Sequence, residues 1–91
     1  MRTLDVGRIV KTTREHESLP AGAIGRVLDA TGNEILIQVA PNTRTAFGGV
    51  FVGHDGEGRV RSRGWYVPRT YLQSTREKVA NAREFERRFG R

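Results

Sequence analysis

The stretch from Asp5 to Val27, DVGRIVKTTREHESLPAGAIGRV, constrains this chain more than any other. Two sets of β-branched residues, Val6 with Ile9 and Val10, then Ile24 with Val27, flank a polar run and a Pro-Ala-Gly turn. Such runs, short and punctuated by glycine and proline, read as strands rather than a helix. The pattern predicts a first strand over residues 6–12 and a loop from Thr12 to Ser18. Leu19 then covers one end of the core. Pro20 takes position i+1 of a turn, and Gly22 supplies the positive φ of a type II geometry. Gly25, inside the second strand, predicts a bulge or a sharp bend.

The next run, Glu34-Ile-Leu-Ile-Gln-Val39, is the most β-rich in the chain, and Thr31-Gly32-Asn33 before it is a turn signal. Residues 24–30 and 34–40 are therefore expected to pair as an antiparallel hairpin. By the period of two, Ile35, Ile37 and Val39 share the inward face, with Leu36 and Gln38 on the other. With 91 residues, the chain is long enough for one domain and one modest core.

After a loop over residues 41–46, Phe47–Val52 reads as a strand and Gly53–Gly58 as a turn. Residues 50–67 then form a hairpin protruding beyond the rest. Its second arm alternates Arg59, Arg61 and Arg63 with Val60 and Ser62, so in a strand the three guanidiniums share one face. Trp65 continues that parity. An arginine row with an aromatic at its end offers phosphate contacts and a stacking surface. The alternative is a solvated arm whose arginines pair with Asp55 and Glu57, with Trp65 as the core aromatic.

Three segments carry a resemblance: V-G-x-I-V at Val6–Val10, L-P-A-G-A-x-G-x-V at Leu19–Val27, and G-W-Y-V-P-x-x-x-L at Gly64–Leu72. Together with the hairpin between them, they resemble the small SH3-like barrels. Within that group they are similar to the KOW-type modules of ribosomal proteins and transcription elongation factors, with Gly7, Gly22, Gly25 and Val27 at the matching positions. The resemblance covers residues 5–40 and 64–72. It implies a mainly β fold, a five-stranded barrel over residues 1–72 with a hairpin insertion at about 41–63. Such a fold does not fix a function.

The C-terminal part, residues 73–91, is predicted to be an amphipathic helix. Ser74-Thr-Arg-Glu77 matches a capping box, and Gly90 matches a C′ residue. Helical over residues 75–89, it would gather Leu72, Val79, Ala82, Phe85 and Phe89 into a stripe about 140° wide. Arg76, Arg83 and Arg87 would line up beside the stripe, and Glu84 would pair with Arg88. The stripe is covered by the chain's own barrel, by a partner, or by a second copy meeting it through Val79, Phe85 and Phe89.

Charge narrows the function. Residues 1–40 carry five basic and five acidic side chains and residues 41–91 eleven and five, so the second half holds the whole net charge of +6. Fourteen of the sixteen basic residues are arginine, the residue suited to bidentate contact with phosphate or carboxylate; arginine-favouring base composition gives the same excess. There is no cysteine, hence no thiolate metal site or disulfide. His16 lies between Glu15 and Glu17, and His54 precedes Asp55, without metal-ligand spacing. Ser18, Ser62 and Ser74 lack a nucleophile elbow. The loop GHDGEG repels phosphate through its two acids instead of cradling it.

The expectation is a non-enzymatic binding module with no metal, no cofactor and no membrane span, located in the cytoplasm. Its partner is nucleic acid or an acidic protein. The contact residues expected are Arg59, Arg61, Arg63, Trp65, Tyr66, Arg69, Arg76, Arg83 and Arg87. The alternative is an assembly subunit, including an enzyme's accessory subunit, that docks through the same arm and the helix.

Overall fold

A computed structural model of the chain describes residues 4–40, 43, 50–51 and 63–89. The fold is mainly β with a single C-terminal helix among these residues. Its strands are β1 (Arg8–Thr12), β2 (Ile24–Asp29), β3 (Glu34–Val39), β4 (Val50–Phe51), β5 (Arg63–Pro68) and β6 (Leu72–Lys78). A 3₁₀ turn, Arg69–Tyr71, links β5 to β6, and the helix α1 spans Ala82–Phe89. The strands form one antiparallel sheet in the order β4-β5-β3-β2-β1-β6. Among the described residues no pairing joins β4 to β6, so the expected closure into a barrel is not made and the sheet is open.

The β2–β3 hairpin forms where turn chemistry and β-branched periodicity place it. Ile35, Ile37 and Val39 are buried on one face. They meet Val10, Val27, Trp65, Val67, Leu19 and Ala23 in the main core. Gly22 adopts the expected positive φ (+84), which makes it i+2 of a turn through Ala21 and Gly22, so Pro20 stands at i and not at the i+1 expected of it. Gly25 has another role than the bend expected of it. It pairs in register with Val10 and Val39, and a Cβ there would lie 2.9 Å from Ile37 Cδ1 and 3.1 Å from the Gln38 carbonyl. Its absent side chain lets β2 and β3 approach. The irregularity falls instead between Val27 and Asp29.

The loop after β1 is tied down by Thr12, a buried polar side chain. Its hydroxyl donates to the Pro20 carbonyl at 2.8 Å and accepts from the Ala23 N–H at 2.8 Å. Both bonds replace hydration lost on burial and add to the apolar anchoring of the loop by Leu19 and Ala23 in the main core.

The C-terminal segment departs from the helix expected over residues 75–89. Leu72–Lys78 is strand β6, paired with β1, and the helix begins only at Ala82. Asn81 caps it: Asn81 Oδ1 accepts from the Glu84 N–H at 2.9 Å, and Glu84 Oε2 accepts from the Ala80 N–H at 3.2 Å. This N-x-x-E box operates where the S-x-x-E pattern at Ser74 does not. The free edge of β1 outweighs the local preference. A strand there gains a ladder of backbone hydrogen bonds, and its bulge is satisfied by side chains. Arg8 Nη1 donates to the carbonyls of Thr75 (3.4 Å) and Arg76 (3.2 Å), and the Thr75 hydroxyl donates to the Ile9 carbonyl at 2.7 Å.

The helix lies on the face of the sheet opposite the main core. Phe85 is fully buried there with Ile9, Ala40 and Val79, and Phe89 and Ile24 pack against them. Of the expected stripe, only Ala82, Phe85 and Phe89 are helical. Arg88 pairs with Glu77 at 3.2 Å rather than with Glu84, whose carboxylate is used in the cap. No helix among the described residues is long and apolar enough to cross a membrane.

Asp5 ties the N-terminal segment to β6 through an ion pair with Lys78 and to β1 through one with Arg8. The Lys78 ammonium, and then the Arg8 guanidinium, hold its carboxyl down from 3.8 to about 2. The folded state therefore favours the ionised form. The resulting stability is present above the ordinary carboxylate range and is lost as the pH falls from about 4 through about 2. Thr31 lowers the Asp29 carboxyl as well, so the two act in the same direction. In urea titrations across acidic pH, Asp5→Asn is expected to fall less steeply in stability than the wild type. Parallel curves would remove Asp5 from the acid response.

Candidate functional site

Strand β5 carries the centre of the expected site. Its pairing with β4, Val50 against Gly64 and Phe51 against Arg63, makes the base of the predicted hairpin. Arg59 and Arg61 lie outside the described residues, as do His54, Asp55 and Glu57. Arg63 opens β5, with its side chain outside the described set.

Beyond Arg63 the strand alternates. Trp65 and Val67 face the core, where Trp65 is 3% exposed and lies cross-strand from Ile37. The indole Nε1–H donates to the Glu17 carbonyl at 3.0 Å. Of the two roles left open for Trp65, the structure places it in the core, and it offers no stacking surface to a ligand. Tyr66 has the opposite parity and is 50% exposed on the outer face.

The loop after β1 is fastened onto β5 from the side. His16 and Leu19 exchange backbone hydrogen bonds at 2.9 Å each, closing a tight turn with Glu17 at φ 47 and Ser18 at φ 73. Positive φ at both central residues is the type I′ signature, here without glycine and so under strain. Two contacts hold it in place. Trp65 binds the Glu17 carbonyl, and His16 Nε2 lies 3.0 Å from the Tyr66 carbonyl. A carbonyl only accepts, so this nitrogen carries the proton. The His16 ring meets Tyr71 edge-on at 5.7 Å, and the Arg14 guanidinium lies 4.9 Å above the Tyr71 ring.

The remaining expected residues divide. Arg69 is exposed on the 3₁₀ turn beside β5 and donates to the Ala30 carbonyl at 3.2 Å. Arg76 lies on β6, with β3, β2 and β1 between it and β5 in the sheet order. Arg83 and Arg87 are exposed on α1, so the three arginines make no single helical row. Of the three coverings open for the stripe, the chain's own sheet is the one found: Val79 and Phe85, also named as contacts for a second copy, are 5% and 0% exposed. The helix stripe is an internal contact.

Reading the sequence missed Arg26. It sits on the outer face of β2, directly across from Gln38 on β3, and Arg26 Nε donates to Gln38 Oε1 at 3.0 Å. The guanidinium is half-buried, and burial lowers its proton affinity. Its alternation with the inward Gly25 and Val27 marks the outer face in the sequence. Nothing in the sequence marks its surroundings.

A groove of about 410 Å³ between the Pro20–Gly22 turn, Ala40 and Phe89 has Arg88 as its charged lining residue, and Arg88 is paired with Glu77. Among the described residues, no three His, Asp or Glu side chains gather as a metal-binding group. Comparison with protein-family models, curated proteins and solved structures finds no match to this chain.

Proposed function

We propose that this chain is a non-enzymatic nucleic-acid-binding module of the SH3-like, KOW-type kind, acting in the cytoplasm. The observation that carries the reading is Tyr66, half-exposed on β5 between the foot of the Arg59/Arg61/Arg63 segment and Arg69. An accessible ring followed by the exposed Arg69 can stack a base while that guanidinium takes a flanking phosphate, and the Arg59/Arg61/Arg63 row, of the other parity, extends the contact to phosphates further along the strand. In this reading Tyr66 replaces Trp65 as the stacking residue. The KOW-type likeness is supported by the Gly22 turn, the β2–β3 hairpin, and the 3₁₀ turn after β5.

The test is binding of a labelled short single strand and a labelled duplex at about 50 and 200 mM salt. A labelled ligand suits this chain better than intrinsic fluorescence, because Trp65 lies in the core. Replacing Arg59, Arg61 and Arg63 together by Ala is expected to abolish binding. Each phosphate left without its arginine lowers the log–log salt slope by about 0.7 for a single strand, or about 0.9 for a duplex. Tyr66→Ala is expected to cost about 1–3 kcal/mol for the base it stacks. Unchanged affinity in the triple variant overturns the assignment. Capture of an acidic protein by the wild type, with no response to either oligonucleotide, moves the arm to the protein-docking alternative.

A further inference from the structure

Arg26 differs from the other half-buried cation, Arg8, which is matched by Asp5. Among the described residues no carboxylate lies within ion-pair distance of Arg26, and its one hydrogen bond leaves from Nε. Desolvating a charge without an opposite charge is costly, and an anion that reaches the guanidinium offsets part of that cost. Burial alone lowers the proton affinity of Arg26, with no acid opposing it.

The neighbours suit an anion that belongs to a nucleotide. Gln38 is almost fully buried, and its amide oxygen holds Nε, which orients the guanidinium plane. Across from Gln38, Gly64 brings no side chain to the row, and two residues further along β5 on the same face stands Tyr66. Gln38 and Tyr66 are thus diagonal neighbours, their side chains about 7–8 Å apart at the base. Arg26 lies one strand beyond Gln38, about 10 Å across the sheet from β5, so its long side chain meets the phosphate of a nucleotide adjoining the base on Tyr66. On the opposite side, Ile9 of β1 stands directly across from Arg26 and is buried in one cluster with Phe85 of α1.

We infer that Arg26, oriented by Gln38, binds a phosphate of the nucleic-acid backbone on the outer face of the β2–β3–β5 sheet, next to the base stacked on Tyr66. This rests on the nucleic-acid reading and extends the interface from the arm onto the sheet. The phosphate takes the Nη side of the guanidinium, since Nε is committed to Gln38.

The experiment titrates the wild-type chain with a short oligothymidylate while following the ¹⁵N-labelled Arg26 side chain by NMR. Affinity is measured in parallel for Arg26→Gln, Arg26→Lys and the Arg59/Arg61/Arg63→Ala variant. Saturable shifts of the Arg26 resonance are expected. Arg26→Gln is expected to lose about ten-fold in affinity and to lower the salt slope by about 0.7. Arg26→Lys keeps the charge without the fork and falls between. An unmoved Arg26 resonance during saturable oligothymidylate binding overturns this inference and leaves the arm reading standing. So does an Arg26→Gln variant with wild-type affinity and slope while the arm variant has lost binding. Failure of the wild type to bind at low salt removes both. The wild-type resonance decides the matter even if a substitution unfolds the chain.

Discussion

Replacing Phe85 by alanine is expected to destabilise the fold by about 3–5 kcal/mol, the range for removing a fully buried aromatic side chain. The ring has no exposed surface, and it sits against Ile9, Ala40 and Val79 with Phe89 beside it, the two ring centroids 5.3 Å apart. The eight-residue helix is too short to persist unaided. Its docking depends mainly on this ring, with the Asn81 cap fixing where the helix starts. A domain of this size is stable by roughly 5–15 kcal/mol, so the loss is a large share. Thermal unfolding is expected to drop by roughly 12 °C or more. The measurement is urea and thermal unfolding followed by circular dichroism, with the oligomeric state checked by sedimentation. A loss below about 1 kcal/mol would mean that the helix does not pack on the sheet.

Gly7→Ala is expected to cost about 2–4 kcal/mol, by two separable mechanisms. Gly7 adopts φ +90, where an L side chain is strained by about 1–2 kcal/mol. A Cβ there would also stand 2.8 Å from the Val79 carbonyl oxygen, closer than real contacts allow. Because the obstacle is backbone, relief requires the end of β6 to move. That movement strains the bond from the Val79 N–H to the Gly7 carbonyl (2.9 Å), and the Gly7 N–H to Val27 carbonyl bond (2.9 Å) holds the other side. The substitution thus loosens the joint between β1, β2 and the lead-in to the helix. Equilibrium denaturation measures it, and faster hydrogen exchange at Val79 is the local signature. A stability change within about 0.5 kcal/mol would show that the joint is not constrained as described.

These two positions differ in how far the sequence announces them. Gly7 is conspicuous beside Val6, Ile9 and Val10, yet the close approach of Val79 joins opposite ends of the chain. Phe85 stands out as an aromatic at helical spacing from Ala82 and Phe89. Its spacing leaves open whether it packs on the chain itself, a partner or a second copy, and the structure puts it on its own sheet. The site divides the same way. Tyr66 on β5 and Arg69 just after it are exposed, and Trp65 of the same motif takes the core role, one of the two its sequence left open. Arg26 had no local signal, because the absence of an acid beside it is a property of three-dimensional neighbours.

By itself, the sequence determined the β2–β3 hairpin, the Gly22 turn, the inward row of Ile35, Ile37 and Val39, and a single C-terminal helix. Each rests on short-range physics: the period of two, turn stereochemistry, and the amphipathic spacing of a helix. Only the tertiary structure decided that Leu72–Lys78 is a strand, that the cap belongs to Asn81, and that the helix covers Ile9 and Ala40. The capping pattern at Ser74–Glu77 and strand β6 competed for the same residues. The unpaired edge of β1, far earlier in the chain, settled the contest with backbone hydrogen bonds that no local pattern encodes.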